Sequence, residues 1–256
     1  QMASSNDITA IERASLNRLV PNRSAGIMLY NNFADSRVTG AVGLFRGEAD
    51  STGNYRGDGY AATARLTTLP YRSEDGSQLL HLGLGYSYRD DNTATYKLSS
   101  DHSLAPNWKH AITGIDNTSL LGVEAALKLG SLSIQSEWVQ SDVDAPAGGD
   151  LDGCYVQASY VLTGEIRGYD PKVGTFKGVS PNAKFLEHGG LGAWEATLRW
   201  SNLDFSELAG GQEVDTWTAG VNWYLNKNIR AMFNYSNAEL GSDSVGVFAT
   251  RFQIAF

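Results

Sequence analysis

The feature that most constrains this chain is a side-chain period of two that returns along almost its whole length. In Trp194-Glu-Ala-Thr-Leu-Arg-Trp200, the residues Trp194, Ala196, Leu198 and Trp200 fall on one face, and Glu195, Thr197, Arg199 and Ser201 on the other. Successive side chains of a β-strand point to opposite faces, so this pattern makes a half-apolar strand and a poor helix. The same alternation runs through Leu80–Tyr88, Val123–Leu129, Leu132–Trp138, Trp217–Leu225, Ile229–Tyr235 and Val247–Phe256. Further strands are predicted at Arg23–Phe33, Arg37–Arg46, Tyr60–Tyr71 and Cys154–Thr163. The total is about 11 strands of roughly ten residues, the length of a tilted strand that crosses a membrane.

Hydrophobic residues at 42% exclude a disordered chain. With 28 Gly and only 6 Pro, the composition suits many strands joined by turns. No stretch approaches the roughly 20 apolar residues of a membrane helix. A barrel strand needs apolar residues only at every second position, so this does not exclude a membrane protein. A net charge of −8 argues against a nucleic-acid partner. Cys154 is the single cysteine, which excludes an internal disulfide.

Alternation alone also fits a soluble sandwich. Two details favour the membrane. Apolar faces begin or end in aromatic residues, notably Trp194, Trp200, Trp217, Trp223 and Phe256, as interface girdles do. The opposite faces carry Arg65, Glu124, Glu195, Arg199, Arg230 and Arg251 in mid-strand. A water-filled lumen tolerates these, whereas an Arg on the lipid face near the midplane costs ~2–4 kcal/mol. The expected fold is therefore all-β, a transmembrane antiparallel β-barrel of the bacterial outer membrane, with residues 23–256 as its strands. A partner in outer-membrane lipid follows.

Short connections, at 34–36, Ser73–Gln78, Gly130-Ser131 and Asn226–Asn228, alternate with long ones at Gly47–Gly59, Asp90–Ser119, Ser141–Gly153 and Ser206–Asp215. Short periplasmic turns and long outer loops are the expected asymmetry. Gly164–Gly192 breaks the rule: it falls on the short side, is long, and carries Pro171 and Pro181. With Phe256 in the periplasm, counting back makes Gln1–Asn22 part of an outer loop. An odd number of further strands is then expected to precede it.

Catalytic signatures do not emerge. His81, His102, His110 and His188 match no tight metal-ligand spacing, although Asp101, His102 and His110 share one loop. There is no Gly-x-Ser-x-Gly elbow, P-loop or dinucleotide fingerprint. Asp142, Asp144, Asp150 and Asp152 form an acidic stretch better read as solvated than as a Ca²⁺ loop. No metal, cofactor or enzymatic activity is expected.

Five segments in order resemble the phosphate-selective porin O/P family. They are Ser4-Ser-Asn-Asp-Ile-Thr-Ala-Ile-Glu-Arg13, Pro21-Asn-Arg-Ser-Ala-Gly26, Tyr155-Val-Gln-Ala-Ser-Tyr-Val-Leu-Thr-Gly-Glu165, Gly192-Ala-Trp-Glu-Ala-Thr-Leu-Arg-Trp-Ser201 and Arg251-Phe-Gln-Ile-Ala-Phe256. The resemblance implies a trimeric porin of about 16 strands, an even number as bacterial barrels have. It makes residues 1–22 part of a constriction-type loop that enters the lumen. It also makes Phe256 part of the signal read by the barrel-assembly machinery, and clustered Arg and Lys the source of phosphate selectivity. Candidate pore-lining or anion-binding residues are Arg13, Arg18, Arg23, Arg65, Arg199, Arg230 and Arg251, whose planar forks suit phosphate. The implied function is a diffusion channel for small hydrophilic solutes biased toward small anions. The alternative is a barrel that serves as a structural or interaction protein of the envelope, with Asp90–Ser119 and Gly164–Gly192 docking partners.

Overall fold

The computed structural model describes residues 2–21, 24–46, 59–90, 93–102 and 107–255. Its strands are β1 (Gly26–Phe33), β2 (Val38–Arg46), β3 (Tyr60–Arg72), β4 (Gln78–Arg89), β5 (Thr93–Ser99), β6 (Asn107–Thr113), β7 (Asn117–Leu129) and β8 (Leu132–Asp144). There follow β9 (Gly149–Val161), β10 (Tyr169–Asp170), β11 (Thr175–Phe176), β12 (Ala193–Asp204), β13 (Glu213–Tyr224), β14 (Ile229–Leu240) and β15 (Asp243–Ile254). Eleven of them form one sheet in the order β1-β2-β3-β4-β7-β8-β9-β12-β13-β14-β15. Every pairing in it is antiparallel. Each strand thus lies beside the next wall strand in sequence, an up-and-down meander. β1 and β15 are the two edges of the sheet, and no pairing joins them among the described residues. The β3–β4 register shifts between Thr68 and Tyr71, where Pro70 has no N–H to give the ladder.

Burial identifies the environment of this sheet. On β12, Glu195 is 0% exposed and Arg199 5%, while Leu198 is 51% exposed. On β14, Arg230 and Asn234 are buried and Phe233 and Tyr235 are exposed. On β4, His81 is fully buried and Leu82, Leu84 and Tyr86 are exposed. The polar face is the enclosed one, the reverse of a soluble sandwich. An exposed apolar face of this extent requires lipid or a partner against it. No described helix is long and apolar enough to cross a membrane.

The interior is not uniformly polar. Near the long-loop end, Leu98, Ile112, Leu120, Val139, Leu151, Leu203 and Phe205 form one apolar cluster with Leu16 and Leu19 from the N-terminal segment. Near the short-turn end, Met2 and Phe176 pack on Leu69, Leu79 and Ala126.

Three connections differ from the sequence expectation. Ser141–Gly153 is mostly strand, leaving a link of residues 145–148. The backbone ladder continues there with the pattern inverted: Val143 and Leu151 are buried on the inner face, and Asp142, Asp144, Asp150 and Asp152 lie on the more exposed outer face. Asp90–Ser119 holds the β5–β6 hairpin, and Gly164–Gly192 the two-residue β10–β11 pair.

Candidate functional site: an occupied lumen

Residues 2–21 lie against the enclosed face as an irregular segment with one 3₁₀ turn, Ser15–Arg18. Its backbone needs partners, and wall side chains supply them. Ile8 O accepts from Arg230 Nη1 at 2.8 Å, Thr9 O from Asn222 Nδ2 at 2.7 Å, and Glu12 O from Arg199 Nη1 at 3.0 Å. Ile11 O accepts from Arg251 Nη1 at 3.2 Å, and Ile11 N–H donates to Asn234 Oδ1 at 3.1 Å. Inward Arg and Asn at alternate positions of β12–β15 thus hold the irregular stretch that precedes the 3₁₀ turn.

The long connection after β9 also enters. Arg167 is 1% exposed and its Nη2 lies 2.6 Å from Glu195 Oε1. Its Nη1 donates to Asp7 O at 3.0 Å and Lys177 O at 3.1 Å. Burial opposes the charge on Arg167, but Glu195 and the Tyr224 hydroxyl outweigh it and hold the guanidinium pKa above its ordinary value. Phe176 N–H donates to Met2 O at 2.7 Å, so the two infolded segments meet. Tyr169 on β10 is bonded through its hydroxyl to His81 Nδ1 at 2.7 Å, and His81 Nε2 lies 3.2 Å from Glu124 Oε2. Glu124 also takes both arms of the Arg65 fork, at 2.8 and 2.7 Å. Arg65 reaches on to Val173 O and Gly174 O. Gly174 has φ +62°, and a Cβ there would sit 2.6 Å from Thr67 Oγ1. Only glycine lets this hairpin approach the wall so closely. Tyr169→Phe removes one side-chain bond without changing shape. We expect a loss of about 1 kcal/mol in unfolding free energy, read by denaturant titration in detergent.

The loop preceding β6 makes a third contact. Asp101 is 2% exposed. Its Oδ1 accepts from Ser15 N and Ser201 Oγ, both at 2.7 Å, and its Oδ2 lies 2.7 Å from Arg199 Nη2. Arg18 Nη2 donates to Ser100 O at 3.2 Å. Burial lowers the Arg18 pKa, with Glu12 and Asp101 partly offsetting it.

Among the arginine candidates, the geometry separates two groups. Arg65 and Arg199 are matched to carboxylates, Glu124 and Asp101. Arg13 Nη2 donates to Ala3 O at 2.8 Å, Arg251 to Ile11 O, and Arg230 to Ile8 O and the Gln253 amide oxygen. The acceptors of these last three carry no formal charge. Arg23 and Phe256 lie outside the described residues. Arg167 and Asp101, which sequence reasoning did not select, hold the infolded segments; the one available signal for Arg167 was the misplaced length of its connection. Among the described residues no group of His, Cys, Asp or Glu is arranged to hold a metal ion.

Between the N-terminal segment and β2–β8 a bay of ≈ 450 Å³ stays open, with Arg46, Arg65, Arg89 and Glu137 in its lining. Outside, Trp194 stacks on its register partner Trp223 at 5.2 Å, and Trp200 faces Trp217. The two rows are six positions apart on β12, ~20 Å along the strand.

A strand meander with an exposed apolar outer face, two aromatic rows and a polar inner face filled by its own loops is the wall of a transmembrane β-barrel. The chain belongs to the family described as phosphate-selective porin O and P, whose model matches residues 1–244. It is therefore an outer-membrane protein. It is 27% identical over 225 residues to Porin O of Pseudomonas aeruginosa, covering 71% of this chain and 50% of that protein. An uncharacterized protein of Caulobacter vibrioides is 27% identical over 179 residues, covering 64% of this chain and 35% of that one. The chain thus spans half or less of the length of these relatives. Among solved structures, outer-membrane expressed OmpT of Vibrio cholerae aligns with 98% of this chain and 75% of its own, at 11% identity and a TM-score of 0.49.

Proposed function

We propose that the whole protein is an outer-membrane diffusion channel for small hydrophilic solutes, biased toward anions such as phosphate, and not an enzyme. The observation that carries the reading is the set Arg13, Arg230 and Arg251, whose described hydrogen-bond acceptors are neutral. The charges of Arg13 and Arg251, both partly exposed, are left to act on a solute, and buried Arg230 adds to the positive field behind Ile8, whereas the charge of Arg65 and Arg199 is met by a carboxylate. A lining of uncompensated guanidinium groups favours anions. Residues 1–22 serve as the constriction-type loop, and the eleven strands are part of a larger wall. Family membership supports a homotrimer and use of the terminal Phe256 by the assembly machinery.

Planar-bilayer recording of the full-length protein tests this. In a KCl gradient we expect an anion-selective reversal potential and a chloride current reduced by added phosphate. Arg13→Ala with Arg251→Ala is expected to lower the anion-to-cation permeability ratio severalfold. A cation-selective reversal potential indifferent to phosphate would overturn the anion reading. The filling of the enclosed face by two segments favours one other reading, a barrel that acts mainly as an envelope scaffold. A protein that inserts but never conducts would favour that scaffold.

A further inference from the structure

The connection after β9 does not stay inside. Residues 165–179 occupy the enclosed face, but residues 183–192 emerge and fold onto the outer surface. Phe185 packs edge-on against Trp223 at 4.8 Å, on the far side of the wall from Arg167. Phe185 N–H donates to Leu225 O at 2.8 Å, and the Trp223 indole N–H donates to Leu191 O at 2.8 Å. Leu186 N–H to Gly190 O and Gly192 N–H to Ala183 O close the segment into a compact turn. Within it, Leu186 at φ 64° and His188 at φ 51° hold left-handed backbone that is costly for side-chain-bearing residues. The result is display rather than burial: Leu186 is 78% exposed and Leu191 70%.

We propose that residues 183–192 form a foot that rests in the phospholipid leaflet at the short-turn end of the barrel. Three observations select lipid as the occupant. The foot continues the outer apolar face without a break, since Phe185 lies on the Trp194–Trp223 stack. It sits at the end of the wall where an interface aromatic row is found, the level at which acyl chains meet headgroups. Its polar side chains Lys184 and Glu187 pair with each other at 2.8 Å at the exposed edge, and Lys227, exposed in the adjacent turn, is suited to a headgroup phosphate. The leucines enter the leaflet beside the tryptophans, and the lysines remain among the headgroups. The proposal rests on outer-membrane placement and not on anion selectivity.

Spin-label accessibility in vesicles of phosphatidylethanolamine and phosphatidylglycerol tests it. Full-length protein in a Cys154→Ser background is labelled at Leu186→Cys, at Leu191→Cys, or at Leu198→Cys as a mid-wall reference. Two foot positions are used so that one poorly folding variant does not decide the result. We expect labels at 186 and 191 to collide severalfold more with dissolved oxygen than with a water-soluble nickel chelate, as at 198. Nickel-dominated collisions at 186 and 191, with 198 still oxygen-dominated, would overturn the foot while leaving the wall in lipid. Protection from both reagents, with dipolar broadening between subunits, would assign the surface to a second copy and also overturn it. Nickel-dominated collisions at all three positions would overturn the membrane placement and the foot with it.

Discussion

Glu195→Ala is expected to destabilise the folded protein by about 3–5 kcal/mol, the range for removing one partner of a buried ion pair. The carboxylate is 0% exposed and serves three neighbours. Oε1 meets Arg167 Nη2 at 2.6 Å, while Oε2 accepts from the Tyr224 hydroxyl at 2.8 Å and Asn222 Nδ2 at 2.9 Å. An alanine leaves a guanidinium, a hydroxyl and an amide facing a methyl group. The measurement is the temperature at which the folded, fast-migrating form in detergent converts to the unfolded form. Glu195→Gln keeps an acceptor and loses the charge, so it should fall between wild type and alanine. Arg167→Met combined with Glu195→Leu should recover much of the loss, because a buried pair and an apolar replacement of similar volume are close in free energy. An unchanged transition for Glu195→Ala would show that the connection is not held where we describe it.

Asp101→Ala is expected to have the second largest effect, and to act on the pore as well as on stability. Asp101 ties three parts of the molecule together through Ser15, Ser201 and Arg199. Without it, Arg199 stays 5% exposed beside no carboxylate of its own, at a cost again of about 3 kcal/mol. The N-terminal segment loses one of its anchors at Ser15, the first residue of the 3₁₀ turn. Single-channel records should show a larger, noisier current, because the segment we propose as the constriction loop moves more freely. Selectivity should shift further toward anions, since a negative charge has left the neighbourhood of Arg18 and Arg199. Current amplitude and melting temperature both equal to wild type would refute the anchoring role.

These residues also mark where the sequence was legible. The wall was read strand by strand, because lipid on one side and enclosed polar groups on the other impose alternation on every crossing. Leu82, Leu84 and Tyr86 against His81, and Phe233 and Tyr235 against Arg230, follow that rule directly. It inverts at Asp142, Asp150 and Asp152, where the strands pass beyond the apolar band: the carboxylates face outward and Val143 and Leu151 pack inward. The lumen was legible only in part. Arg199 and Arg230 could be assigned to the inner face from their parity. Their partners could not, because Glu12 O, Ile8 O and Asp101 lie some 100 to 220 positions away and carry no periodicity. Asp101 and His102 read as loop residues, since nothing local distinguishes a solvated carboxylate from one that folds back under a rim.

The straddling of the rim by the connection after β9 also bears on the order in which the wall comes together. Where β7 passes to β8, two residues suffice, and pairing can follow as soon as the second strand leaves the first. Between β9 and β12 the chain makes a detour about four doublings longer, a loop-closure difference of ~2–3 kcal/mol. That deficit is made good only once Arg167 has reached Glu195 on one side of the wall and Phe185 has reached Trp223 on the other. The β7–β9 and β12–β15 blocks can therefore zip early by short steps, and the seam between them should close late. Slow arrival of β9–β12 amide protection, well after protection within each block, is the kinetic mark such a chain would carry.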